Sequence, residues 1–450
     1  MSETNPKETA PQTPHKTPVA SQVLSDGSLV ELLYDPVRRA TALALWREGQ
    51  WSREVQIDVG LERLVPFSPE NNIIKNDVVL LPSEPADYGT KDDLVASIGA
   101  FLHRYLDVSP EFELVATYYI LFTWLYDAFN EVPYIRFQGD YGTGKTRALL
   151  VVGSLCNKPF FGSGASTVSP LFHILDAFRG TLVLDEADFR FSDEKAEIVK
   201  VLNNGNVDGL PVLRTMMNRQ REFNPQAFRV FGPKIVAMRK AYDDQALESR
   251  FLTEVMGRGR LRADVPINLP KSLKDEARQL RNQLLLYRFH YREAVAVDRE
   301  VAVADLAPRG NQILLPLLSI VDDAAAREAL ISFATAAQAG TMAERGLSTE
   351  AQLLEVIREL SGEVHKQAIP IIEITQRFAA RYAAEYERAV TPRWIGGVLR
   401  NRLHLGTYKS NGRFVVPVTD TARLTGLYSR YGLTEEADAD EAPPSSDMGM

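Results

Sequence analysis

The segment Gly139-Asp140-Tyr141-Gly142-Thr143-Gly144-Lys145-Thr146 constrains this chain more than any other. It spells G-x-x-x-x-G-K-T. A strand-like run, PYIRF, precedes it, and an apolar helical run, RALLVVGSLC, follows. Its glycines let backbone N–H groups curl around a phosphate, and the start of the following helix adds the positive end of a dipole. Lys145 is placed to reach the outer phosphates of a nucleotide, and the Thr146 hydroxyl to bind Mg²⁺. Strand, tight loop and helix in that order call for a parallel sheet with the loop at its carboxyl edge.

A second run, Gly180-Thr181-Leu182-Val183-Leu184, ends in Asp185-Glu186. A buried strand with acids at its end sets them at the same sheet edge, beside the loop. Asp185 is then the expected Mg²⁺ ligand, through water, and Glu186 the group that polarises an attacking water. Residues 131–257 alternate strands and helices throughout, an α/β pattern with a parallel sheet.

This pair of motifs resembles the additional-strand P-loop ATPases with a catalytic glutamate, which include the AAA+ proteins. The resemblance implies ATP and Mg²⁺. Residues 185–188 spell DEAD. DEAD-box helicases, however, carry a second RecA-like domain with SAT and HRxGR-type motifs, and neither motif is present. In AAA+ proteins a polar sensor, usually Asn or Thr, ends a later strand. Here that strand is Phe231 to Arg239, and Met238 holds the sensor's place. Arg239 is left as the polar candidate, against a plain surface arginine. Glu248-Ser249-Arg250-Phe251 resembles the segment whose arginine reaches a neighbouring subunit's γ-phosphate. Arg250 is therefore the candidate finger, with a local salt bridge to Glu248 or Asp244 as the alternative. A finger implies a homo-oligomer, and the family points to a hexamer. The helical stretch that follows looks like the AAA+ lid. Arg309, in Pro308-Arg309-Gly310, is its candidate second sensor, with a capping or surface role as the alternative.

Two segments point to DNA, single- or double-stranded. Two extended runs between Gly209 and Pro225 flank a polar turn, which predicts a β-hairpin. Superfamily 3 and minichromosome-maintenance helicases project such a hairpin into the ring's pore. By that likeness Arg214, Arg219 and Arg221 would contact the phosphate backbone, with an ordinary solvated loop as the alternative. Further on, Ile374 to Glu387 reads as an amphipathic helix, and Thr391-Pro392 opens another with a good N-cap and proline at the first position. A hairpin tipped by Ser410-Asn411-Gly412 follows. Helix, turn, helix and hairpin resemble a winged helix, with Arg393, Arg400 and Arg402 on the recognition helix and Lys409 and Arg413 on the wing. From Arg388 to Arg430 there are eight bases and one acid. An interaction-only winged helix is the alternative.

Composition narrows the rest. The formal net charge of −8 first argues against nucleic acid. The segment from Glu435 to Met450 holds six acids and no base, so the total averages an acidic tail with a basic module. The single cysteine, Cys156, lies in an apolar stretch and reads as a small buried hydrophobe, with no intrachain disulfide available. VATYYILFTWL (115–125) is too short to span a bilayer and reads as a buried helix. Residues 1–20 lack an apolar signal core. The expectation is a soluble, cytoplasmic protein with no membrane partner.

The expected organisation is a disordered tail (1–20), a small β-rich domain (21–84), a helical pair (85–130) and the P-loop core (131–257). A helical lid (258–345), a winged helix (346–433) and an acidic disordered tail (434–450) complete it. The expected function is an AAA+ motor on DNA, a ring-forming helicase or translocase of the type that replicates mobile elements. An ATP-dependent initiator or switch without processive unwinding, and a remodelling ATPase that does not act on nucleic acid, are the alternatives.

Overall fold

The computed structural model describes residues 14–433 apart from 164–166, 186–191, 218–222, 243, 258–260, 305, 347, 364–366, 384–385 and 387–388. By its internal contacts the chain divides into two compact units, one up to Thr335 and one from Ala336.

The first unit opens with β1 (His15–Val19), β2 (Ser21–Val23), β3 (Leu29–Asp35), β4 (Ala40–Arg47), β5 (Gln50–Glu54), β6 (Ile57–Val59) and β7 (Glu62–Pro66). β2 to β5 form an antiparallel sheet in sequence order, and β1 adds in parallel to β7 in a second sheet of order β1-β7-β6. The expectation of a disordered tail over 1–20 is corrected for its last residues, because His15–Val19 is a strand and Ala20 is buried. Pro18 obscured it in the sequence. Proline is tolerated there because β1 is an edge strand, with one side free of ladder hydrogen bonds.

After a short helix, α1 (Asn72–Lys75), come α2 (Lys91–Tyr105) and α3 (Pro110–Thr123). Thr90 and Asp93 form a capping box on α2, and Ser109 caps α3 with Pro110 at its first position. Ten residues of α3 are buried, as its unbroken apolar run implies. No helix among the described residues is long and apolar enough to cross a membrane.

Then follow β8 (Tyr134–Gln138), α4 (Lys145–Gly153), β9 (Phe160–Ser163), α5 (Val168–Phe178), β10 (Leu182–Asp185), α6 (Ser192–Asn204), β11 (Val212–Met217), β12 (Phe223–Phe228), β13 (Lys234–Met238), α7 (Gln245–Glu248) and β14 (Phe251–Val255). Five of these strands form one parallel sheet, in the order β14-β8-β13-β10-β9. β13 lies between β8, which carries the phosphate loop, and β10, which carries the acids. This is the inserted strand that the sequence resemblance implies. The chain therefore has an α/β P-loop core.

Three helices close this unit: α8 (Leu273–Tyr291), α9 (Pro308–Leu318) and most of α10 (Ala324–Gly346). Buried residues of β3, α2, α3, the parallel sheet, α8 and α9 belong to a single apolar cluster. The β-rich segment expected to stand alone thus shares its core with the ATPase sheet. Five consecutive residues of β3, Leu29 to Leu33, are buried, so both of its faces are covered, and nothing local in the sequence shows by what.

A buried ion network joins the same parts. Glu31 on β3 accepts from Lys158 Nζ at 2.8 Å and from Arg288 Nε at 2.7 Å. Arg288 also grips Asp127 with both terminal nitrogens, at 2.7 and 2.8 Å. Burial alone would raise the pKa of both carboxylates. The facing cations outweigh it and hold both below the usual carboxylate range: Lys158 and Arg288 around Glu31, Arg288 and Arg292 around Asp127.

The second unit contains the rest of α10, then α11 (Thr349–Glu363), β15 (Ala368–Pro370), α12 (Ile371–Tyr382), α13 (Pro392–Asn401), β16 (Tyr408–Ser410), β17 (Arg413–Pro417) and α14 (Thr421–Arg430). The three strands form an antiparallel sheet of order β15-β17-β16. It has its own apolar core, including Leu353, Ile357, Ile374, Phe378, Ile395 and Leu399.

Glu31→Gln leaves Lys158 and part of Arg288 buried without a counter-charge. It is expected to destabilise the first unit by roughly 3–5 kcal/mol, read from denaturant melts. Because both carboxylates have lowered folded-state pKa values, their stabilisation is complete above the ordinary carboxylate range. It is lost as the pH falls through the lowered values. Acid melts of the wild type should show that loss, and Glu31→Gln should reduce it.

Candidate nucleotide-binding site

The loop after β8 is built around two left-handed glycines, Gly142 (φ 73°) and Gly144 (φ 90°), the second being the N-cap of α4. A side chain there would be strained, so the loop's curl depends on both. Lys145 Nζ donates to the Gly139 and Asp140 carbonyls at 2.7 and 2.6 Å, which holds the ammonium across the loop. Thr146 Oγ1 donates to Asp185 Oδ2 at 2.7 Å. Two residues 39 positions apart in sequence thereby meet at the sheet's carboxyl edge. A cleft of about 340 Å³ opens above them, lined by Tyr141 to Arg147, Asp185 and Ala237 to Arg239.

The residues present suit a nucleoside triphosphate with a divalent cation. They offer a glycine cradle, one ammonium, and a hydroxyl beside a carboxylate at the start of a helix. Glu186 lies outside the described residues.

At the end of β13, Met238 is buried and its Sδ accepts from Arg136 Nη1 at 3.9 Å. No polar sensor therefore occupies that place. Arg239 follows it into the cleft, where its guanidinium lies 3.7 Å from the centre of the Tyr141 ring. Sequence reasoning missed this pairing. Tyr141 stands at a variable position of the loop motif, and its 73% exposure was the property that mattered.

Arg250 ends up at the opposite edge. It immediately precedes β14, whose other end, Val255, pairs with Gln138 below the phosphate loop. The length of β14 puts Arg250 about 17 Å from its own loop, at ~3.4 Å per residue. It cannot serve the nucleotide of its own chain. Its Nη1 bonds Asn203 Oδ1, and the side chain is 8% exposed. Burial, then the charge of Arg309, lowers its pKa. The alternative of a salt bridge to Glu248 is corrected: Glu248 pairs with Arg136 at 2.6 Å.

Arg309 shares that far edge. It donates to Gln312 Oε1 at 3.0 Å, and its charge is felt at Arg250 and Tyr134. A second-sensor contact with the nucleotide of its own chain is therefore corrected. Of the described residues in the expected lid (258–345) none lines the cleft, and Pro266 and Ile267 come beside it by accepting from Arg147 with their carbonyls. α8 instead packs into the core, where Arg281 donates to the Ser154 carbonyl at 2.7 Å and Arg288 joins the ion network. The charged pattern of α8 hid this, since Arg281 and Arg288 point inward to a carbonyl and to buried carboxylates instead of facing water.

The expected hairpin is present as β11 and β12, paired from Val212↔Phe228 to Met217↔Phe223. Arg219 and Arg221 lie outside the described residues. Arg214 does not project. It ion-pairs with Glu197 of α6 and stacks 4.0 Å from the Phe172 ring of α5, so it anchors the hairpin's base.

In the second unit Thr391 accepts from Trp394 N at 3.3 Å and Pro392 begins α13, as the capping signals predict. Arg393, Arg400, Arg402, Lys409 and Arg413 are all exposed. Arg402 is tied to Glu350 at 3.0 Å, and Arg400 donates to Thr407 Oγ1 at 3.2 Å. Arg393 sits at the helix start, and Lys409 and Arg413 on the β16–β17 hairpin.

No family model and no curated protein matches this sequence. Solved structures similar to the chain include the apo C-terminal region of NrS-1, at 11% identity and a TM-score of 0.39, covering 86% of this chain and 96% of that one. The Aeropyrum pernix ORC1 protein in complex with DNA matches at 16% identity and a TM-score of 0.23, covering 73% and 94%. CDC6P from Pyrobaculum aerophilum matches at 16% and 0.18, covering 78% and 99%. Superpositions this loose leave the reading of the site to the chain's own topology and contacts.

Lys145→Ala removes the loop's ammonium and is expected to weaken nucleotide binding at least about tenfold, measured with a fluorescent ATP analogue. Asp185→Asn should reduce binding chiefly when Mg²⁺ is present. Equal loss with and without Mg²⁺ would count against Asp185 as a metal ligand.

Proposed function

We propose that this protein is an ATP-hydrolysing motor of the AAA+ type that acts on DNA as a ring-forming helicase or translocase. The observation that carries the ATPase half is the Thr146–Asp185 contact at 2.7 Å, at the carboxyl edge of a sheet ordered β14-β8-β13-β10-β9. In this reading the loop N–H groups and Lys145 bind the phosphates, and Thr146 and Asp185 hold Mg²⁺. Bound there, Mg²⁺ would neutralise charge building on the phosphates. Glu186 orients the attacking water, and Arg239 faces the terminal phosphate, its guanidinium steadied by Tyr141.

Arg250 acts in trans. Its place at the far edge of the sheet supports this, since a finger that serves a neighbour must point away from its own nucleotide. Arg309 belongs to the same edge and faces the same neighbour. Leaving Asn203 costs Arg250 one hydrogen bond, which a γ-phosphate repays with a stronger, charge-assisted one.

The DNA half rests on the second unit. Its order of helix, strand, helix, helix and two strands supports a winged helix, and its exposed bases suit a phosphate backbone. Arg393, Lys409 and Arg413 are the residues best placed for contact, whereas Arg402 must first release Glu350.

One observation favours a second reading, an ATP-dependent initiator or switch. Arg214, the described member of the hairpin's basic set, is engaged by Glu197 and Phe172 and does not reach outward to a strand. ATPase turnover with and without single- and double-stranded DNA, beside sizing and a forked-substrate unwinding assay, separates the readings. The motor requires oligomerisation, DNA-stimulated turnover and strand displacement. The switch requires ATP-dependent DNA binding without displacement. Full turnover by a strict monomer would remove the role of Arg250. Arg250→Ala should retain nucleotide binding and lose at least about tenfold in turnover. Arg393→Glu with Arg413→Glu should weaken DNA binding at least about tenfold, read by fluorescence anisotropy at low salt, where phosphate contacts are strongest.

A further inference from the structure

A second, smaller cavity shares no lining residue with the nucleotide cleft. It measures about 70 Å³, room for about five waters at ~10–15 Å³ each. Separate segments converge on it: Ser21 on β2, Asp127 after α3, Asn157 and Lys158 before β9, Arg179 at the end of α5, and Arg288 on α8. The backbone around it is preset. Lys158 and Arg179 both hold left-handed conformations, at φ 42° and 49°. The chain beside them passes so close that a Cβ on Gly180 would meet the Lys158 carbonyl oxygen at 2.0 Å.

Donors outnumber acceptors around this cavity. Lys158, 2% exposed, has three N–H groups and donates one, to Glu31. Arg288 has five and uses four, on Glu31, the Trp124 carbonyl and the two Asp127 oxygens. Asn157 is 1% exposed, and neither atom of its side-chain amide has a hydrogen-bond partner. A buried amide in that condition costs about 1–3 kcal/mol, which a ligand can recover. Charge points the same way. Lys158, Arg288, Arg292 and Arg179 stand against Glu31 and Asp127, an excess of two positive charges. Arg179 is exposed and marks the mouth, while Lys158 and Arg288 line the buried interior.

We propose that this cavity binds a single tetrahedral oxyanion of the phosphate class, either inorganic phosphate or the phosphate of a monoester. The Asn157 amide nitrogen, the spare N–H groups of Lys158 and Arg288, and the Arg179 guanidinium are its donors. Asp127 lines the same cavity with both oxygens already engaged by Arg288, so it does not repel the anion as a free carboxylate would. Because β2 forms one wall and the segments flanking the ATPase sheet form the others, the bound anion ties the N-terminal sheet to the motor core. It should raise the stability of the whole unit by mass action.

The test uses the full chain carrying Lys145→Ala, which weakens phosphate binding at the cleft. Equilibrium dialysis with labelled inorganic phosphate should give one phosphate per chain, and the Tm should rise with phosphate concentration. Adding Arg179→Gln, an exposed substitution, should weaken phosphate binding at least about tenfold while leaving the Tm without phosphate unchanged. Adding Asn157→Leu should remove the Tm response. Glycerol 3-phosphate distinguishes the sources: competition with inorganic phosphate assigns the site to monoesters as well, and failure to compete restricts it to the free ion. Absence of phosphate binding in the Lys145→Ala chain, or binding unaffected by Arg179→Gln, overturns the proposal. Neither result bears on the nucleotide cleft.

Discussion

The register of the parallel sheet holds the functional parts in order. Met238 lies opposite Gln138 on one side of β8, and Val255 lies opposite it on the other. Asp185 ends its own strand beside Ser163. Because the strands run the same way and finish together, the glycine loop, the acid and Arg239 emerge at one edge. A shift of one residue in β10 would turn Asp185 to the other face and break its contact with Thr146. The same register sends Arg250 to the opposite edge. Cleft and finger candidate are thus two ends of one strand arrangement, which is the geometry that action between subunits requires.

A second constraint is electrostatic. Burying Lys158 and Arg288 in an otherwise apolar junction is tolerable only because Glu31 and Asp127 meet them at 2.7–2.8 Å. These pairs connect β3, the end of α3, the approach to β9, and α8, so the N-terminal strands cannot move as a separate body without exposing unpaired charge. The network is imperfectly neutral. Its surplus of donors, together with the unpartnered Asn157 amide, makes it a site for an anion as well as a joint.

Much of the fold was legible in the sequence where the signal is local. The glycine loop, the Thr391-Pro392 cap and the β11–β12 hairpin each depend on residues within a few positions of one another. What failed was non-local. Pro18 hid β1 because its partner, β7, is set by the fold. Arg214 was expected at a phosphate backbone, and the inward role of Arg288 gave no signal, because the carboxylate and aromatic partners of both lie elsewhere in the chain. Arg309 followed a family pattern into a role that its place on α9, beside Arg250, does not allow within its own chain.

By itself the sequence determined that this chain builds a phosphate loop on a parallel sheet, with an acid-ended strand to match. Backbone conformation and hydrogen-bonding chemistry leave few other uses for those residues at those spacings. Only the tertiary structure decided which charges are free to act. A guanidinium is a ligand for phosphate, a clamp for a buried carboxylate or a lid on an aromatic ring, according to what lies within about 4 Å of it. That neighbourhood is a property of packing between distant segments. It separates Arg239 over Tyr141 from Arg214 over Phe172, although the two look alike in the sequence.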